Sequence, residues 1–326
     1  MRTGHLWLCV GVAVISFACD RNVTHVEEVA GPAGCTDCHT STDLITAKHT
    51  QWAESRHGSG TSFEEEGTNK SCAFCHSGDA FVDALEAGLP PNQLAAGDPD
   101  PTRQDCRACH RIHETYTAQD WALRTTSAVS FYAIPGSTFD GGEGNLCVNC
   151  HQPRRNAPVA VDGVIKGISE HWGPHHGPQS SMILGVGGAG VTGTVHGHYA
   201  IENTCVHCHM GDGRNHTFEP SVERCQGCHT DATDFDINGR QTEIIALANQ
   251  LGDMLVTAGL LSENTIDGHP IVTEAPEDQG IALWNWLYVH HEDRSFGVHN
   301  YPYTRAMLDE GITRMGGTPV IASTNK

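Results

Sequence analysis

The stretch Cys205-Val206-His207-Cys208-His209 contains the pattern that decides the architecture of this chain of 326 residues. Two cysteines are separated by two residues, and a histidine follows the second cysteine directly. The pattern occurs six times and uses 12 of the 14 cysteines, and we number its copies site 1 to site 6 in chain order. The sites are Cys35-Cys38-His39, Cys72-Cys75-His76, Cys106-Cys109-His110, Cys147-Cys150-His151, Cys205-Cys208-His209 and Cys225-Cys228-His229.

This pattern is typical of covalent c-type haem attachment. Two thiols at this spacing bond the two vinyl groups of one porphyrin, and the adjoining histidine reaches the iron from the proximal side. A zinc ribbon has no reason to place histidine after every second cysteine. A disulfide framework would not place all its cysteines in identical pairs, and a thioredoxin-type redox pair needs a βαβ context that is absent here. The sequence therefore predicts six covalently bound haem c groups.

The bulk composition indicates an irregular fold. Only 38% of the residues are hydrophobic and 6% are aromatic, whereas the chain has 36 glycines and 15 prolines. Glycine and proline disfavour the interiors of regular elements, and side chains alone offer thin material for a core. We therefore expect a mainly α fold with extensive coil and little or no sheet, in which six apolar macrocycles supply the interior.

The C-terminal part has a different pattern. Apolar residues recur at helical spacing from Gln241 to Leu261 and from Ile281 to His291, which predicts two packing helices. We interpret Trp284, Trp286 and Leu287 as core residues rather than as a cofactor-binding box.

The formal net charge is −20, with 39 acidic and 19 basic residues. A nucleic-acid-binding protein would have the opposite balance, with basic residues clustered on one face, so we expect no nucleic-acid partner. The acidity is explained by solubility and mutual repulsion, or by attraction of cationic partners such as metal ions or basic redox proteins.

The N-terminus has the features of a targeting signal. The run Leu6–Ala18 is apolar and too short to span a bilayer, so residues 1–18 are interpreted as a signal peptide. Cys19 then begins the mature chain, where it is either a lipid anchor or a simple cleavage product. Residues 19–34 are expected to be an exposed leader, and residues 35–326 a hexahaem domain. We expect export to the periplasm, outer membrane or cell surface.

The sixth iron ligands are predicted to be histidines. Of the 22 histidines, six are proximal and one lies in the signal peptide, while the six methionines follow no repeated relation to the sites. Coordination by two histidines is therefore favoured over histidine with methionine, which gives higher potentials. The predicted distal ligands are His57, His113, His176, His198, His216 and His299, with His175 and His49 as the replacements.

Several segments resemble known multihaem proteins. Sites 5 and 6, with His216, Phe218 and Pro220 between them, resemble the last two haem sites of pentahaem nitrite reductases and their multihaem relatives. The segment Ser295–Asn300 resembles the terminal histidine-bearing segment of that superfamily, so residues 205–326 form the superfamily-like part. The runs that begin at His110 and at His176 are similar to multihaem cytochromes of metal-reducing bacteria, and the likeness extends over most of residues 35–310.

One departure from that superfamily indicates the kind of activity. The nitrite reductases replace one proximal histidine by lysine and leave a catalytic iron open, whereas all six sites here end in histidine. The resemblance therefore implies an electron carrier without catalytic residues, akin to hexahaem outer-surface cytochromes. Its partners would be other redox proteins or an extracellular acceptor, and a homo-oligomer or filament is a further expectation, since some of these cytochromes polymerise.

An enzymatic alternative remains open at this stage. One haem could lack its distal histidine and act on a small nitrogen or sulfur compound. Arg154, Arg155 or Tyr199 would then line the pocket.

Overall fold

The computed structural model describes residues 42–175, 177–211 and 215–320. The described chain is mainly α-helical with long stretches of coil, as predicted, and its strands form two small two-stranded sheets. The signal peptide, Cys19, the leader, site 1 and His176 lie outside the described residues, so those predictions remain predictions.

Short helices separated by coil make up the motif region, which we define as residues 42–239. Its α-helices are α1 (Thr42–Glu54), α2 (Arg56–Ser59), α3 (Phe63–Glu66), α4 (Ala73–His76), α5 (Gly78–Glu86), α6 (Cys106–Cys109), α7 (Gly144–Val148), α8 (Gln179–Leu184), α9 (Cys205–His209) and α10 (Val222–Cys225). Four 3₁₀ turns lie at Pro91–Gln93, Ala118–Trp121, Gly197–Ala200 and Ile237–Gly239.

Both sheets are antiparallel pairs. Strands β1 (Val129–Ser130) and β2 (Thr138–Phe139) form a hairpin in which Val129 faces Phe139. Strand β3 (Val164–Lys166) pairs with β4 (Glu274–Pro276), so that Ile165 faces Ala275. The second sheet therefore connects the motif region to the chain beyond residue 239.

The C-terminal region, residues 240–320, consists of long helices. It contains α11 (Arg240–Thr257), α12 (Glu277–Trp286) and α13 (Tyr301–Arg314), and a π-helix over Leu287–Asp293 continues directly from α12. The two helices predicted from apolar spacing are confirmed. Trp284, Trp286 and Leu287 are each at most 1% exposed, so their interpretation as core residues is also confirmed.

Apolar spacing explains why α11 packs as it does. Ile244, Leu247, Leu251 and Leu255 recur every three or four residues, so they form one stripe along the helix, and all four are fully buried. Gly311 of α13 permits close approach, because a Cβ there would lie 2.7 Å from Leu251 Cδ2. The expected thin core is therefore wrong for this region, which has a conventional interior of side chains, mostly its own, with Ile165, Trp172 and Met182 added from the motif region.

Two small apolar clusters lie wholly within the described part of the motif region. One surrounds Phe139 and Val148, and the other surrounds Phe74 and Phe81. Here the prediction of a thin side-chain interior is confirmed. Within the described ranges, no helix is both long enough and apolar enough to cross a membrane.

Candidate haem-ligand sites

Each described attachment motif is wound into about one helical turn. At sites 2, 3, 4 and 6 the backbone N–H of the motif histidine donates to the carbonyl of the first cysteine, at 3.0, 2.9, 2.9 and 2.7 Å. At site 5 the whole motif, Cys205–His209, is helical. A turn closed in this way brings both cysteines and the histidine into a single small patch, as attachment of one porphyrin requires.

At all five described sites, a second histidine ring faces the proximal ring. The centroid distances are 6.5 Å for His76 and His175 at site 2, 6.3 Å for His110 and His216 at site 3, 6.2 Å for His151 and His57 at site 4, 6.4 Å for His209 and His299 at site 5, and 6.4 Å for His229 and His198 at site 6. The spread is small, although the partners come from widely separated segments.

This spacing fits one metal ion held between two imidazoles. An imidazole nitrogen lies about 2 Å from a metal that it binds and roughly 1 Å from its own ring centre, so two rings on opposite sides of one ion have centres about 6 Å apart. Rings in van der Waals contact would stack much closer. The interplanar angles range from 29° to 86°, which is compatible because each ring can rotate about its own metal–nitrogen axis.

Hydrogen bonds to the ring Nδ1 atoms fix the tautomer at four of these sites. The acceptors are Trp121 O for His110 (2.7 Å), Gln179 Oε1 for His151 (3.1 Å), Phe218 O for His209 (2.9 Å), Val298 O for His198 (2.9 Å) and Asp293 Oδ1 for His299 (2.6 Å). These oxygens can only accept, so each Nδ1 carries the proton and Nε2 keeps its lone pair. Such outer partners orient metal-binding histidines and raise their basicity.

Burial keeps several of these rings in the neutral form that a metal requires. Burial, assisted by His151, lowers the pKa of His57 to about 4. Burial also lowers the pKa of His151, His198 and His209. For His299, burial acts in the same direction, but the charge and hydrogen bond of Asp293 outweigh it and the pKa is raised.

Three cysteines resemble passive attachment points rather than activated redox thiols. Burial raises the pKa of Cys109 to about 12, and of Cys72 and Cys208 to about 11. Reactive Cys-x-x-Cys pairs have lowered pKa values instead. Cys205 differs from these three, because the neighbouring Cys147 lowers its pKa to about 7. None of the ten cysteines within the described ranges forms a disulfide.

Attachment cysteines of different sites touch one another. The Cys150 thiol of site 4 lies close enough to Cys75 of site 2 for that neighbour to raise its pKa, and Cys205 of site 5 raises the pKa of the Cys147 thiol in the same way. Cys109 of site 3 lies near enough to interact electrostatically with both site 4 cysteines. Site 4 therefore adjoins three other sites.

Close backbone packing explains the contact between sites 4 and 5. Gly144, at the start of α7, lies against the turn that precedes site 5, and a Cβ at Gly144 would collide with Thr204 Oγ1 and lie 3.1 Å from Asn203 O. Thr204 Oγ1 donates to the Gly141 carbonyl at 3.2 Å. Asn203 and Thr204 both have positive φ, at 59° and 33°, so this turn is strained.

Phe218 connects three sites. Its carbonyl accepts from His209 of site 5, and its ring centre lies 4.9 Å from that of His57 at site 4 and 6.1 Å from that of His216 at site 3. The aromatic ring therefore lies beside two imidazoles, while the backbone of the same residue holds a third.

The predicted distal ligands are placed as follows. His57, His198, His216 and His299 each face a motif histidine, and His175, a named replacement, faces His76. The ring of His113 is stacked on Tyr116 at 5.6 Å, and that of His49 lies 5.5 Å from Trp52. These positions leave His113 and His49 as predictions, together with the ligand of His39.

The residues proposed for an enzymatic pocket do not gather at one place. Arg154 Nη1 lies 3.5 Å from His175 Nε2 of site 2. Tyr199 instead packs on Phe139 and accepts a hydrogen bond from the Asp140 N–H through its hydroxyl group, while Arg155 is exposed. Arg154 is the one member of this set that the structure places beside a candidate distal ligand.

The sequence analysis did not assign the outer partners of the rings. Tertiary contacts bring these partners to the rings, which applies to Gln179, Asp293, Phe218 and Val298. The sequence separation reaches 100 residues for His198 and Val298. The sequence contains a local indication for one of these partners only. Asp293 and Ser295 lie shortly before His299 in the chain, so polar groups near this ring could have been expected.

The chain is similar to the solved structure of an undecahaem cytochrome from the S-layer of Carboxydothermus ferrireducens, with 18% identity and a TM-score of 0.48. The match covers 82% of this chain and 41% of that one, so the chain spans about two-fifths of its length. No protein-family model and no curated protein matches the sequence.

Proposed function

We propose that the chain is an exported c-type cytochrome that carries six covalent haems, each bound by two histidines, and transfers electrons. The observation that carries this proposal is the set of five histidine pairs, each joining one motif histidine to a distant histidine at 6.2 to 6.5 Å. Chance would not place a second ring at one spacing beside every described motif.

When bound, haem supplies a one-electron iron couple, and two histidine ligands favour lower potentials than histidine with methionine. The residues of this chain hold the imidazoles neutral and oriented, through burial and through the Nδ1 hydrogen bonds. An iron held by both histidines of a pair would have no position left for a substrate, so the arrangement favours electron transfer over catalysis.

The contacts between cysteines support a branched order of sites. Sites 2, 4 and 5 follow one another through the contacts of Cys75 with Cys150 and of Cys147 with Cys205. Cys208 and Cys225 interact electrostatically, which puts site 6 beyond site 5. Site 3 lies beside site 4. We infer that electrons crossing the molecule pass through site 4.

Electron paramagnetic resonance of the oxidised protein tests the ligand assignment. We expect a pyridine haemochrome assay to count six haems per chain, and every haem to be low-spin. His175→Ala should convert one haem to high-spin. The control His269→Ala removes an exposed imidazole that hydrogen-bonds with the Ser262 hydroxyl and faces no motif histidine among the described residues, and it should change nothing. A stoichiometric high-spin haem in the unmodified protein would refute the proposal.

That refuting outcome would favour the enzymatic alternative at site 2, because Arg154 lies beside His175. Turnover of nitrite, hydroxylamine or tetrathionate with a reduced dye would then be expected, and Arg154→Ala should reduce it.

The proposal includes the cellular setting predicted from the sequence. Other redox proteins or an extracellular acceptor would be the partners, and the superfamily resemblance to pentahaem nitrite reductases, lipid attachment at Cys19 and assembly into a homo-oligomer or filament are parts of the same hypothesis. Mass spectrometry of the mature N-terminus tests the lipid, and an unmodified Cys19 would exclude it.

A further inference from the structure

The contacts of Asp293 point to a residue that sets the redox potential of one haem. We propose that the buried Asp293 carboxylate lowers the reduction potential of the haem at site 5 through its hydrogen bond to His299. This inference rests on the proposed haem sites. Asp293 would act on the haem only through the His299 imidazole, which makes it a positioning residue.

The carboxylate is held in a small closed network. Its side chain is 0% exposed, and Oδ1 accepts from His299 Nδ1 at 2.6 Å. Oδ2 accepts from both the N–H and the hydroxyl of Ser295, and Ser295 Oγ accepts from the His299 N–H at 3.2 Å. Three residues thereby fix one another, and the anion points at the ring of His299.

Asp293 differs in charge from the other Nδ1 acceptors described above. The Nδ1 acceptors of His110, His151, His198 and His209 are neutral carbonyl or amide oxygens. A carboxylate draws the Nδ1 proton toward itself and leaves more negative charge on the ring. Ferric iron carries one more positive charge than ferrous iron, so a more negative ligand stabilises the oxidised state and lowers the potential.

The backbone around Asp293 is built to hold this position. Asp293 is the last residue of the π-helix Leu287–Asp293, a rare element that is frequently found at functional sites. Tyr288 and Val289 anchor the π-helix in the C-terminal core, where both are fully buried. The next residue, Arg294, has φ of 58° and donates from Nε to the His291 carbonyl.

The same turn reaches two further sites. The carbonyl of Glu292 accepts from Gln179 Nε2 at 3.1 Å, and Gln179 Oε1 holds His151 of site 4. The carbonyl of Val298 accepts from His198 of site 6. One short segment therefore holds ligands of three consecutive sites, and Asp293 is the member that adds a charge.

Potentials of the complete haem-loaded chain test the proposal by spectroelectrochemical titration. Asp293→Asn keeps the shape and removes the charge, and one haem should become easier to reduce by about tenfold in its ferric-to-ferrous ratio, which is ~59 mV for one electron. Asp236→Asn is the control, because Asp236 also accepts from a hydroxyl and a backbone N–H, those of Thr242. It should leave all potentials in place.

A second variant separates charge from shape. Ser295→Ala removes a donor that shares the charge of Asp293, so the carboxylate should pull harder on His299 and the potential should fall. A merely structural role would move both variants in the same direction. The proposal is overturned if Asp293→Asn shifts no haem, if it shifts all six equally, or if Ser295→Ala raises the potential.

If Asp293→Asn does not fold, the sign of the Ser295→Ala shift decides alone. The proposed function is tested separately, because low-spin signals from all haems in the unmodified protein establish the ligands whether or not Asp293 has any effect. Low-spin spectra with unmoved potentials would therefore remove only this inference.

Discussion

The motif region and the C-terminal region fill their interiors in different ways. Helix α11 of the C-terminal region buries Leu247 and Leu251 completely, within a large cluster of side chains. Helix α1 is the longest helix described for the motif region, with 13 residues, yet none of the side chains described for it is buried. We therefore expect the C-terminal region to hold its fold with polypeptide alone, and the motif region to depend on the haems that its cysteines are proposed to bind.

The largest expected effect follows from withholding haem. We expect the full chain, produced without haem attachment, to lose the structure of residues 42–239, because burial of apolar area drives folding and that region buries little of its own. Residues 240–318 should keep their helices. Limited proteolysis should yield a resistant fragment beginning near Arg240, with Trp284 and Trp286 still buried by fluorescence.

The haem-loaded chain is the control for that experiment and should resist proteolysis throughout. A haem-free chain that unfolds completely would contradict the comparison, since it would show that the C-terminal core also needs the sites. Strand β3 and Trp172 of the motif region pack on that core. Whether the resistant fragment includes them shows how much they contribute to the stability of the core.

A cavity in the C-terminal core should have the next largest effect. Leu251→Ala removes a fully buried side chain that packs against Gly311, and we expect a loss of about 2–5 kcal/mol in the free energy of unfolding. Ile245→Ala on the same helix is the control, because Ile245 is 41% exposed and should cost much less. Denaturant titration in the haem-loaded protein measures both. Equal losses would mean that the core does not limit stability.

The sequence predicted these two regions with unequal success. The stripe from Ile244 to Leu255 and the cluster around Trp284 follow a helical period, which is local information, so both helices were found. The attachment motifs are also local. The thin overall composition was misleading, because the apolar residues are concentrated in the C-terminal region rather than spread along the chain.

The close packing between sites 4 and 5 should tolerate an added methyl group less well than the surroundings of Gly227, elsewhere in the motif region. A Cβ at Gly144 would strike Thr204, so Gly144→Ala should cost about 1–3 kcal/mol by overpacking. Gly227→Ala is the matched control. Gly227 lies inside the motif of site 6, as Gly144 lies just before that of site 4, and a Cβ at Gly227 meets no atom within 4 Å. Thermal unfolding followed at the haem absorbance compares the two variants. A larger loss for Gly227→Ala would contradict this packing.

The pairing of the distal ligands lay beyond the reach of the sequence. His175 and His176 are adjacent in the sequence, so no local pattern distinguishes them, and tertiary structure brings His175 opposite His76. The partners Val298 and Asp293 approach His198 and His299 only after the chain has turned at Arg294 and Phe296, both of which have positive φ. Such contacts depend on tertiary structure.

The smallest expected effect is at one of the contacts between the two regions. Gln179 accepts from His151 of site 4 and donates to the Glu292 carbonyl of the π-helix. Gln179→Leu removes both hydrogen bonds, which should cost about 0.5–1.5 kcal/mol each. Because Gln179 is neutral, its loss frees the imidazole without removing a charge, so the potential of site 4 should move less than that of site 5 in Asp293→Asn. Redox titration of both variants makes this comparison, and a larger shift for Gln179→Leu would show that orientation outweighs charge.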